Sequence, residues 1–179
     1  MSAFELPDRI FNEIIRLSRQ YYREAEKCRE ANAFLAGCIM IGSALEAMLL
    51  AFTNCYPEEA SNSTAVPRKR NGVVKPLIEW SLADLLRVAK EQYWLPSGLS
   101  PNKDWDDAKA HIGDYGEIIR QIRNFVHPAR YALDMSREKI TKRYLEAVFE
   151  SIEVAHEHLM HKLNKSIWEA IEKEEANTV

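Results

Sequence analysis

Ile41-Gly42-Ser43-Ala44-Leu45-Glu46-Ala47-Met48-Leu49 is the stretch on which the fold class turns. It lies inside a longer run, about residues 33–55, in which Phe34, Cys38, Ile41, Leu45, Met48, Leu49 and Phe52 recur at three or four residues, the period of an α-helix. Apolar side chains cover most of the circumference of this helix. It therefore reads as the buried central member of an all-α bundle. Glu46 is its only charged residue. A carboxylate on a buried helix needs a donor. It either meets the cationic cluster at Arg120, Arg123 and His127 or reaches solvent at the helix edge.

Outward from this helix the same period repeats. Before it, Leu6-Pro7-Asp8 opens a helix running to about Glu30, with Ile10, Ile14, Leu17, Tyr21 and Ala25 as the expected buried stripe and Arg, Glu and Lys as a solvated face. After it, Pro57 closes the run. Residues 58–75 then read as a mobile, structureless basic loop, because they are polar, punctuated by Pro67 and too long for a tight connection. Arg68, Lys69, Arg70 and Lys75 stand in this loop with no acid between them, a pattern suited to an RNA phosphate backbone.

A third helix is expected over Leu77–Tyr93, with Leu77, Trp80, Leu85, Val88 and Ala89 facing inward. A fourth, to about His127, carries the stripe Trp105, Ala108, Ile112, Tyr115, Ile119, Ile122 and Val126. A fifth and longest starts near Ser136 and repeats apolar residues from Ile140 through Val148, Ile152, Ala155, Leu159 and Leu163 to Ile171, with a polar, fraying tail at 172–179. The expected architecture is an up-and-down antiparallel bundle of about five helices.

The 179 residues, 46% hydrophobic and 28% charged, suit one domain over 1–179. A formal net charge of −3 gives no global basic footprint, so any nucleic-acid contact is local. No run of about 18 uncharged apolar residues occurs and the N-terminus lacks a basic segment before an apolar block, so a soluble, cytoplasmic protein with no membrane partner is expected. Cys28, Cys38 and Cys55 have no metal-site spacing and read as reduced thiols.

The chemistry concentrates in Arg120-Gln121-Ile122-Arg123-Asn124-Phe125-Val126-His127-Pro128. On a helix, Arg120, Arg123 and His127 share one narrow sector a turn apart. Gly113 and Gly116 lie in that sector and leave a smooth strip for the approach of another backbone. Pro128 ends the helix at His127. Glu153-Val-Ala-His156 has the spacing of a di-iron ligand pair, but no second such pair exists in the chain, and His156, His158 and His161 fall on differing faces. No metal site and no cofactor is therefore expected. No Gly-rich phosphate loop, nucleophile elbow or suitably placed cysteine occurs either.

An all-α chain with an Arg and a His near the end of its penultimate long helix resembles the HEPN superfamily, whose catalytic members are metal-independent endoribonucleases. Arg120 to His127 brackets six residues, the upper end of the family spacing; Arg123-Asn124-Phe125-Val126-His127-Pro128 resembles the family in wording, with three residues between Arg and His. Either Arg is a candidate for the family position. The segment Ile41–Leu49 is also similar to a core helix of that superfamily. The resemblance implies a ribonuclease of toxin or defence type, working as a homodimer in which two motifs face each other. Its candidate site residues are Arg120, Arg123, Asn124, His127 and Glu46.

The residues suit that chemistry. RNA carries its own nucleophile, the 2′-hydroxyl, so a ribonuclease needs a base and cations that stabilise the phosphorane. His127 can supply the first and the two arginines the second. The alternative is a non-catalytic module of the same kind that binds RNA, a nucleotide or a partner protein through the same cationic face.

Overall fold

A computed structural model describes residues 3–95 and 141–176. The expected fourth helix, the start of the fifth at Ser136, and Gly113, Gly116, Arg120, Arg123, Asn124 and His127 lie outside the described residues. Within them the chain is all-α, with five α-helices, one 3₁₀ turn and an isolated β-bridge but no strand.

The first helix, α1 (Asp8–Glu30), follows Pro7, carries Asp8 in its first turn and ends on Lys27 and Arg29, charges placed to suit the helix dipole. Its seam differs from the expected stripe. Ile14 and Ala25 are buried, but the flanking contacts come from Phe11, Ile15 and Tyr22, while Ile10 is 38% exposed. Ser18 explains the rotation: its hydroxyl donates to the Ala44 carbonyl at 3.3 Å, so a polar residue sits on the seam that an apolar pattern assigns to Leu17 and Tyr21.

α1 ends in a tight reversal. Asn32 takes φ 57°, and the amides of Asn32 and Ala33 donate to the Arg29 and Cys28 carbonyls, which satisfies the last turn and sends the chain back. The second helix, α2 (Phe34–Cys55), then runs antiparallel to α1, from Gly37 beside Cys28 to Asn54, whose side chain accepts the Leu6 amide at 2.6 Å. Cys38, Ile41, Leu45, Leu49 and Phe52 are buried, as their spacing predicts. Burial pushes the Cys38 thiol up to about 12. With 22 residues and a mean hydropathy of 2.0, α2 is long and apolar enough to cross a bilayer, a test that the core helix of a bundle passes equally. Here α1, a later helix and the long last helix pack on it.

Residues 57–81 are the main departure from expectation. Instead of a structureless loop, Pro57 starts a short helix, α3 (Pro57–Ser61), and the chain from Pro67 to Lys75 folds back on itself through an antiparallel bridge between Arg68 and Val74. Gly72, at φ +81°, makes the turn. Glu91 fixes the base of this hairpin: its carboxylate accepts from the Ser63 hydroxyl at 2.6 Å and from the Thr64 and Ala65 amides at 2.9 Å each. Those donors hold the Glu91 carboxyl down at about 2.

The expected third helix is also broken at its start. A 3₁₀ turn (Leu77–Glu79) and an extended Trp80 precede α4 (Leu82–Glu91), because Ser81 and Asp84 form a capping box that fixes where the helix begins. Leu77, Trp80, Leu85, Val88 and Ala89 are buried, as expected. Tyr93 adopts φ 55° past the end of α4, and Trp94 donates its ring N–H to Glu59 at 2.8 Å, which ties α4 to α3.

The last helix, α5 (Lys142–Ala176), buries Leu145, Val148, Phe149, Ile152, Ala155 and Leu159. It runs alongside α2 in the same direction. Leu145 closes on Gly37, where an added Cβ would stand 2.9 Å from both Leu145 methyls, and Lys162 pairs with Glu59 at 3.0 Å over the Tyr56 ring. Among the described residues no buried side-chain polar atom lacks a hydrogen-bond partner, as a settled core requires.

Candidate functional site

Of the five residues expected to carry catalysis, Arg120, Arg123, Asn124 and His127 lie outside the described residues, and Glu46 lies within them. Glu46 is half-buried on α2, and its carboxylate accepts the Leu82 backbone N–H at 3.1 Å. Leu82 is the first residue of α4, where amides lack partners within the helix and the dipole favours an anion. One donor for the lone carboxylate of the apolar helix is thus a helix N-terminus, a partner that neither sequence alternative offered. A backbone amide carries no signature in a sequence.

The four cations expected to contact RNA come together on the hairpin but are unequally placed. The Arg68 guanidinium donates to the Gly72 carbonyl at 3.0 Å, and Lys69 pairs with Glu79 at 3.3 Å. Glu79 lies outside the basic segment, so the acid missing along the sequence arrives in space. Arg70 is exposed at the turn; Lys75 is half-buried, and its carbonyl accepts the Trp80 ring N–H at 2.9 Å. Arg70 is the residue of this group best placed to meet a phosphate.

A second site lies on the helical body. α1 and α5 touch where Arg29 meets Glu146 at 3.6 Å and where Tyr22 donates to Glu153 at 3.1 Å. Tyr22 also sets its ring edge-on to Phe149, with centroids 5.8 Å apart. Beyond this contact the two helices border a cleft of about 520 Å³, within the size range of ligand and docking sites. Ala44 and Met48 of α2 with Ile152 of α5 line it with apolar surface; Arg19, Arg23, Glu26, Glu153, His156 and Glu157 supply charge and a titratable ring. The Tyr22 hydroxyl is raised above the usual phenol range, first by burial and then by its bond to Glu153.

This cleft gathers residues that the sequence left apart. Glu153 and His156 stand out there only for a ligand-like spacing, and Arg19 and Arg23 belong to a face read as solvated. The available signal was the i, i+4 repeat of like charge on each helix, Arg19 with Arg23 and Glu153 with Glu157. No group of three or more His, Cys, Asp or Glu placed to hold a metal ion occurs among the described residues. Comparison of the chain with protein-family models, with curated proteins and with solved structures finds no match, so the functional reading rests on the residues themselves.

Proposed function

We propose that this protein is a HEPN-like domain of the cytoplasm that cleaves RNA without a metal, as a homodimer. The observation that carries the reading is the Arg120…Arg123-Asn124…His127-Pro128 cluster in a chain whose described part is all-α. His127 takes the proton from the 2′-hydroxyl, and Arg120 and Arg123 stabilise the charge that develops on the phosphorus oxygens. A second His127, from the other protomer, protonates the leaving 5′-oxygen. Gly113 and Gly116 give the smooth face along which two copies approach, and the hairpin holds the RNA strand through Arg70, with Arg68, Lys69 and Lys75 beside it.

The decisive experiment is His127→Ala. It should abolish cleavage of single-stranded RNA while binding stays nearly intact, whereas Arg120→Ala and Arg123→Ala should impair both. Cleavage by the unmodified protein should survive EDTA, leave 2′,3′-cyclic phosphate ends and spare DNA, which lacks the nucleophile. The exposed Arg68, Lys69 and Arg70 of the hairpin, suited to holding a ligand and not to chemistry, favour a second reading, in which the cluster binds RNA, a nucleotide or a protein and does no chemistry. RNA that is bound but never cut supports that reading; if RNA is neither bound nor cut and His127→Ala costs only stability, the cluster is a helix terminus and nothing more.

A further inference from the structure

The cleft between α1 and α5 has lips of opposite sign. Arg19 and Arg23, a turn apart and both exposed, form the α1 lip, and Glu153 and Glu157, likewise a turn apart and exposed, form the α5 lip. Glu26 lies toward the closed end of the first lip, and His156 sits within the second. Glu153 holds the Tyr22 hydroxyl; Arg19, Arg23, Glu26, His156 and Glu157 make no hydrogen bond or ion pair among the described residues.

This arrangement narrows what covers the cleft. A small anion or an RNA strand that reached the guanidiniums would meet the α5 carboxylates, and a cation would meet the reverse, so either occupant is repelled by half of the rim. A complementary surface must carry both signs in opposite order over an apolar centre. Rotating the cleft by 180° about an axis parallel to its length generates such a surface, because each basic lip then lies on an acidic one. From this we infer that the cleft is an interface between two copies of this chain, isologous about a two-fold axis along the cleft. The pairing covers the half-exposed Met48 in both copies, over a floor that Ala44 and Ile152 already close. Met160, 39% exposed and one turn beyond Glu157, extends the contact with an adaptable apolar side chain.

Charge exchange tests this on the full-length protein by sedimentation velocity. The unmodified chain should self-associate through the cleft, and that association should loosen as salt rises from roughly 0.1 to 1 M. Arg19→Glu/Arg23→Glu and Glu153→Lys/Glu157→Lys should each weaken self-association by at least ~tenfold, since every rim pair becomes a repulsion. Glu157→Lys alone, which leaves the Tyr22–Glu153 bond intact, should act in the same direction. Mixed one to one, the two double variants should dimerise again, because an acidic rim then faces a basic rim along both seams. A monomeric unmodified chain, charge-reversed chains that associate as tightly as the unmodified one, or a mixture no more associated than either variant alone while each keeps its helical signal would overturn the inference. Pairing on the Gly113/Gly116 face of the proposed nuclease is indifferent to these reversals. The inference stands apart from the nuclease reading: chains that pair here and never cut RNA would sink only the latter.

Discussion

Between Asp8 and Cys55 the chain is ordered by apolar side chains that repeat with the helical period; between Asn62 and Ser81 it is ordered by individual hydrogen bonds around a few buried side chains, Val66, Leu77 and Trp80. In the first region Ile14, Ala25, Ile41, Leu45 and Leu49 face one another across two helices, and no single contact decides the outcome. In the second, Glu91 receives three donors, Trp80 is held by the Lys75 carbonyl, and the Leu77 amide donates to the Ala3 carbonyl at 2.8 Å. The lesson is one of redundancy. Dispersed burial tolerates the loss of one contact in proportion to its area, whereas a clasp built on one carboxylate fails as a unit.

That contrast breaks most visibly in the core. Leu45→Ala or Phe149→Ala, each removing a buried side chain, should cost about 3–5 kcal/mol and lower the melting temperature of the whole domain. A cost below ~1 kcal/mol would mean that the core shared by α1, α2 and α5 is not packed as described. Glu91→Ala should behave differently, leaving the melting of the body nearly unchanged while trypsin reaches Arg68, Lys69 and Arg70 faster than any helical site.

Acid sharpens the same point. Because the folded Glu91 carboxyl titrates at about 2 rather than 4.5, its contribution is complete above about 4.5 and is lost as pH falls toward 2. Hydrogen exchange of the hairpin amides should rise over that window in the unmodified protein. In Glu91→Ala it should be fast throughout. Equal pH dependence in the two proteins would show that another group holds the hairpin. The smallest effect belongs to Ser81→Ala, which deletes the capping box of α4 and should cost about 1 kcal/mol, seen as fraying of Leu82–Asp84 with Trp80 still buried.

The same division explains what could be read in advance. α1, α2 and the interior of α5 follow from spacing, since burial selects apolar residues at every third or fourth position and leaves a periodic record. The seam of α1 was displaced because Ser18, a polar residue, takes a central place by bonding a carbonyl of α2. The order in residues 62–81 left no such record: Glu91 is one acid near the end of an ordinary helix, and nothing in its neighbours announces that Ser63, Thr64 and Ala65 converge on it. The hairpin's cations were legible as a run, but Glu79, which takes Lys69, lies ten residues away in the sequence. The cleft was hidden for a related reason. Its lips belong to helices more than a hundred residues apart, and a like-charged pair on one exposed face reads as solvation until the opposite wall is known.

The oily character of α2 has a consequence in time rather than in space. α1 and α2 share the most extensive helix–helix interface of the described chain, so this hairpin can form as soon as both helices have left the ribosome. The helix that covers the other flank of α2 begins only at Lys142, about 90 residues after Cys55. At ~5–20 residues per second, the nascent chain carries a half-covered greasy helix for roughly 5–20 s. Throughout that interval Glu46 is the one charge on α2, and α4, whose first amide it will receive, follows within the first few seconds of the wait.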